Sequence, residues 1–169
     1  MALLSLDPDS RVYFVDELKI GMTAAVIRRI GEADVVKFAE VTGDHNPVHF
    51  DEAYAQVSKL GGRVVHGILS AGLISAAIGT SLPGPGTIYL KQTLKFCAPV
   101  RIDDVVEARV TVAELRAEKN QVLLATCCRV GRVLVLDGEA LVLPPRRPSA
   151  AGRVRLATRL LAGPTARRE

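Results

Sequence analysis

Residues 67–80, GILSAGLISAAIGT, carry no charged side chain and are apolar almost all round. Such a run is too short to cross a bilayer as a helix. It is long enough for about four helical turns, and Pro83-Gly84-Pro85-Gly86 stops it. The pattern predicts a helix over 67–80 buried on every side. A helix with no wet face has to be wrapped, and the residues that can wrap it come next. Residues 87–96 alternate, with Ile88, Leu90, Leu94 and Phe96 on one face and Tyr89, Lys91, Thr93 and Lys95 on the other. Residues 105–115 set Val106, Ala108, Val110 and Val112 against Glu107, Arg109 and Thr111. Residues 121–130 and 132–143 read as a hairpin through Gly131. Upstream, residues 12–15 and 23–30 are β-like. Residues 32–42 form an amphipathic helix with Val35, Phe38, Ala39 and Thr42 on one face, capped by Gly43. The fold class is therefore α+β: an antiparallel β-sheet wrapped around a long central helix.

The chemistry concentrates in Gly43-Asp44-His45-Asn46-Pro47-Val48-His49. Pro47 has no N–H and drives Asn46 out of α geometry, so this stretch is a bent loop and not a helix interior. It carries a carboxylate and an imidazole five residues apart. In an arbitrary chain such a pair is solvated. In one cavity it can grip a water molecule and move its protons. Asn46 can hold the bend through Asx-type hydrogen bonds. Asp51 caps a short helix through Gln56, and Gly61-Gly62 marks a flexible turn.

The segment Val41-Thr42-Gly43-Asp44-His45-Asn46-Pro47-Val48-His49, followed by Asp51-Glu52-Ala53-Tyr54-Ala55, resembles the signature of the (R)-specific enoyl-CoA hydratases, which are MaoC-like hotdog proteins. Val65-His66-Gly67-Ile68-Leu69 and Leu82-Pro83-Gly84-Pro85-Gly86-Thr87-Ile88-Tyr89-Leu90 match the same family in order and approximate spacing. The likeness runs from Glu17 to Pro144. It implies the hotdog fold and the reversible hydration of trans-2-enoyl-CoA to (R)-3-hydroxyacyl-CoA.

The resemblance makes Asp44 and His49 the catalytic pair and the backbone N–H of Gly67 the oxyanion donor. A glycine at a helix start leaves its N–H free, and the helix dipole backs it. Read without the family, the same glycine is there for packing. Ser75, Ile78, Asn46 and His66 are counted as substrate-binding. Ile78 would face the acyl chain, and His66 is open between supporting the loop and lining the site. Without the resemblance Ser75 is a core serine bonded to its own helix. Ser70 has no comparable claim, and His45 occupies a variable, exposed slot.

No metal site, phosphate loop or nucleophile elbow is legible, and no cofactor is expected. The net charge is +4. From Arg146 onward there are seven arginines and one glutamate, so the tail carries +6 and the rest −2. The basic excess belongs to the tail, aromatics are scarce, and no nucleic-acid partner is expected. The domain is expected over 1–145. An Arg-rich, disordered tail is expected over 146–169, where Val154, Leu156, Leu160 and Leu161 allow a weak amphipathic helix. Three cysteines, Cys97, Cys127 and Cys128, form no disulfide framework. With no secretory leader or membrane-spanning run, a cytoplasmic protein without a membrane partner is expected. The expected partners are an acyl-CoA substrate and a second copy in a homodimer, because the family sets its sites at a subunit interface and pairs its sheets. Arg63 and Lys91 are the basic residues available for CoA phosphates. The rival readings are a 3-hydroxyacyl-acyl-carrier-protein dehydratase, a hotdog thioesterase and a non-catalytic acyl-CoA-binding module.

Overall fold

The computed structural model describes residues 11–147. The chain order is β1 (Thr23–Arg29), α1 (Glu32–Thr42), α2 (Glu52–Val57), α3 (Gly67–Thr80), β2 (Ile88–Phe96), β3 (Val105–Arg116), β4 (Gln121–Val130) and β5 (Val133–Leu143). The five strands form one sheet in the order β1-β3-β4-β5-β2, and every neighbouring pair is antiparallel. Val106, Ala108, Val110 and Val112 of β3 join Val122 and Leu124 of β4 and Ala140 and Val142 of β5 on the inner face. Leu73, Ile74, Ala77 and Ile78 of α3 press onto them. This is the hotdog arrangement that the resemblance implies.

Two of the turns that the sequence marks show how left-handed glycines are used. Gly43 ends α1 at φ 77°, and its N–H bonds Ala39 O. Gly131 at φ 55° starts the two-residue loop between Val130 and Val133. Asp51 caps α2 by accepting from Tyr54 N.

Three expectations change. Residues 12–15 form no strand. Tyr13 N instead donates to Pro83 O, strapping this segment across the turn after α3. In β2 the pairing slips between Tyr89 and Lys91, so Leu90 is an extra residue in a bulge. Tyr89 then shares a face with Val142, and Ile88 leaves the face of Leu94 and Phe96. The third change concerns α3. It is buried on its sheet side only, whereas Gly67, Ile68, Gly72 and Ser75 are exposed. Its all-round apolar character therefore exceeds what the described residues cover. Ile88, Leu90 and Phe96 on the edge strand β2 are also exposed.

Arg147 falls beyond the expected boundary at 145 yet packs on the domain. Its guanidinium lies 4.4 Å from the Phe14 ring centroid and pairs with Asp16 and Glu17. The rest of the tail, with the helix suggested for Val154 to Leu161, lies outside the described residues. Adjacent Cys127 and Cys128 face opposite sides of β4. Cys127 is half-buried and Cys128 fully buried, where desolvation pushes the Cys128 thiol up to about 12. Among the described residues no helix is long and apolar enough to cross a membrane.

Gly138 of β5 sits where any Cβ would overlap the Thr93 carbonyl oxygen of β2. That oxygen belongs to backbone in a paired strand and cannot swing aside. Gly138→Ala should therefore lower stability by about 2 kcal/mol or more, a fall in melting temperature on the order of 4–8 °C for a domain of this size. Thermal melting of the purified variant checks it, and an unchanged midpoint would mean β2 yields freely.

Candidate active site

The loop after α1 is built by its own side chains. Asp44 N donates to Thr42 Oγ1 at 3.3 Å, Asn46 N donates to Asp44 Oδ1 at 3.3 Å, and Val48 N donates to Asn46 Oδ1 at 3.3 Å. Pro47 opens a single 3-10 turn, Pro47–His49, and this turn carries His49 inward while Asp44 stays exposed. Asn46 thus has the Asx role read from the sequence, and it also lines the cavity described below.

His49 is 7 % exposed. Its Nδ1 lies 2.8 Å from the Val64 carbonyl oxygen. A carbonyl can only accept, so Nδ1 carries the proton and Nε2 keeps a free lone pair. Burial, the largest cause, pulls the His49 pKa below its ordinary 6.5. The Val64 bond and the Asp44 charge oppose this, and His66 adds to it. His66, at 2 % exposed, donates from Nε2 to the Asp44 carbonyl oxygen at 2.9 Å. The rings of His49 and His66 stack with centroids 3.7 Å apart and 29° between planes.

Asp44, His49 and His66 each bring one ligand-type atom within 4.8 Å of the others. Imidazole lone pairs lie in the ring plane. Two stacked, nearly parallel rings therefore aim poorly at one ion, and the cluster suits a shared water better than a metal. A water about 2.8 Å from each partner spans such a gap.

His49 opens on a cavity of about 510 Å³ lined also by Asn46, Val64, Val65, Gly67, Ser70, Phe96, Val100, Val135 and Leu136, among others. The walls are apolar, and the polar groups gather at the loop and at the start of α3. Gly67 is the first residue of α3, where the N–H has no intrahelical acceptor. A Cβ there would lie 2.6 Å from Phe96 Cε1, so the ring of β2 fits against Gly67 because it is glycine.

The structure brings Asp44, His49, Asn46, His66 and Gly67 together. It does not bring Ser75 or Ile78 to this cavity: Ser75 is exposed on the open side of α3, and Ile78 is in the core at 1 % exposed. Ser70 lines the cavity instead. Its hydroxyl and His66 Nδ1 are, among the described residues, the buried side-chain atoms without a partner. A serine four residues after His66, one turn into an uncharged helix, was the available signal. Sequence reasoning also missed Arg101, which donates to the carbonyls of Leu60, Gly62 and Arg63 and holds that segment under the site. Arg63 is committed to the His49 carbonyl at 2.8 Å and to Glu32 at 2.6 Å. Lys91 is exposed.

Known proteins share this build. The family model described as a MaoC like domain matches residues 8–128. A "3-hydroxybutyryl-CoA dehydratase" of Methylorubrum extorquens is 50 % identical over 143 residues, 85 % of this chain and 91 % of that protein. An "(R)-specific enoyl-CoA hydratase" of Rhodospirillum rubrum is 47 % identical over 139 residues, covering 82 % and 96 %. The unliganded R-hydratase PhaJ1 of Pseudomonas aeruginosa superposes with a TM-score of 0.75 at 44 % identity, over 80 % of this chain and 88 % of that one. With its sequence matched across most of its length and its sheet and helix superposing on a solved R-hydratase, this chain belongs to the MaoC-like family.

Proposed function

We propose that the protein is a hydro-lyase that hydrates trans-2-enoyl-CoA reversibly to (R)-3-hydroxyacyl-CoA. The observation that carries this is the Asp44 carboxylate and a ring nitrogen of His49 within 4.8 Å of each other, beside an apolar cavity that His49 and Gly67 line. The close relatives' names support CoA as the carrier.

Asp44 and His49 hold the water between them. As its oxygen attacks C3, its proton passes to the pair, with Asp44 the base and neutral His49 orienting the water. The electron pair moves from the C2–C3 bond toward the thioester, and the oxygen charge that develops is met by Gly67 N–H. A proton returns to C2 from the same side, closing the addition. Ser70 and the valines of the cavity flank the acyl chain, which is apolar and needs no polar partner.

A homodimer belongs to the same reading. Among the described residues, Ile68, Ile88, Leu90 and Phe96 leave an apolar strip uncovered beside the outer edge of β2. A second copy across that edge would cover the strip and bring Ser75 of α3 from the exterior into the interface.

The test is an enone-absorbance assay on C4 to C12 enoyl-CoA esters with chiral analysis of the product, run beside the acyl-carrier-protein thioester. (R)-3-hydroxyacyl-CoA formation supports the reading. An (S) product or no hydration sinks it, and a strong preference for the protein carrier turns it into the dehydratase. Because His49 works neutral and its pKa is lowered, activity should hold as pH falls through 6.5 and be lost only lower. An acid limb of kcat/KM above 6.5 would contradict a neutral, buried His49.

A further inference from the structure

The structure assigns to His66 the role of positioning residue: one buried side chain ties the backbone of Asp44 to the ring of His49 and so fixes the spacing of the acid–base pair. The assignment rests on Asp44 and His49 being that pair.

Three contacts carry it. The Nε2–H of His66 donates to the Asp44 carbonyl oxygen at 2.9 Å, across 22 residues of chain. One face of its ring stacks on His49 at 3.7 Å. Phe38 of α1 backs it, with centroids 4.8 Å apart. His66 is also the residue that caps α3, directly before Gly67, so the same unit links the water-holding loop to the oxyanion helix.

Packing alone does not account for an imidazole here. Its Nδ1 is buried without a partner, which costs free energy that an apolar ring would avoid. The polar ring is retained for what its other nitrogen does. Asp44 is exposed and hydrogen-bonded by its own loop at long, 3.3 Å distances, so without His66 the carboxylate has no tie to the body of the domain at this carbonyl. A displacement of about 1 Å in such a group can cost on the order of 10²-fold in rate.

The two contributions separate by substitution. His66→Phe keeps a ring against His49 and removes the donor. His66→Gln keeps an N–H near the place of Nε2 and removes the ring. The groups facing His49 are Asp44 from its loop, His66 from the start of α3, and Arg63, which bonds the His49 carbonyl and is itself paired with Glu32 of α1. Of these only His66 changes, and a positive charge on its ring would oppose one on His49. Its loss should therefore move the His49 titration upward.

The experiment uses the full chain as wild type, His66→Phe and His66→Gln. It measures kcat and KM on crotonyl-CoA and follows the His49 ring by NMR titration. His66→Phe should lower kcat by about tenfold or more with KM within about threefold, and His66→Gln should recover most of that loss. Both variants should show His49 titrating at higher pH than wild type. Equal kcat in His66→Phe and wild type, equal losses in the two variants, or an unmoved His49 titration would each overturn the role. Should His66→Phe not fold, the titration in His66→Gln decides. Should wild type hydrate none of the C4 to C12 enoyl-CoA esters, the enzymatic reading falls, and the titration still reports on the His66–His49 contact.

Discussion

Asp44→Asn and His49→Asn are each expected to lower turnover by at least about 10²-fold with melting little changed. General acid–base groups contribute about 10²–10⁴-fold, which sets the scale. The substitutions are chosen to spare the loop. Asparagine at 44 still presents an Oδ1 to Asn46 N, and asparagine at 49 still places an N–H where Nδ1 meets Val64 O. What disappears is the charge that draws the proton and the Nε2 lone pair that holds the water. Turnover on crotonyl-CoA and a thermal melt are the measurements. A folded variant within about tenfold of wild type would remove that residue from the chemistry.

Removal of the Gly67 N–H should reduce kcat on the order of 10²–10³-fold, the effect of deleting one oxyanion donor. Proline can do this with little backbone strain. It is favoured at the first helical position, and His66 at φ −57°, ψ 128° already has the extended geometry required before proline. The obstacle is Phe96, which any Cβ at 67 would strike. The comparison is therefore made with Phe96→Ala as background, adding Gly67→Ala or Gly67→Pro. If the N–H matters, alanine is tolerated and proline is not. Equal activity in the two double variants would make Gly67 a packing glycine, the other reading its sequence allows.

The core was legible where periodicity was strong. Helices α1 and α3 begin and end where the apolar spacing and Gly43, Gly67 and Pro83 put them, and β3 alternates as its valines require. The face of β2 was not legible, because the bulge at Leu90 inverts the alternation and one extra residue leaves no mark on composition. Nor was the open side of α3, because an all-apolar run predicts cover on every side and the described residues cover only the side toward the sheet. In the candidate site, Asp44 and His49 were singled out by one local motif and Gly67 by another, each read through the family resemblance. The bond from His66 to Asp44, Phe96 against Gly67, and Arg101 beneath residues 60–63 join segments far apart in the sequence, and only the folded chain shows them.

His49 and the first residue of α3 line one cavity, and on the proposed mechanism this has a consequence for handedness. A planar enoyl thioester has two enantiotopic faces. Once its oxygen is pinned at Gly67 and its chain is threaded between apolar walls, only one of them can be turned toward Asp44 and His49. Those three points of attachment suffice to break the symmetry of a flat molecule. The chirality of the product is then inherited from the order in which a loop and a helix meet in space, and no side chain has to recognise the new stereocentre.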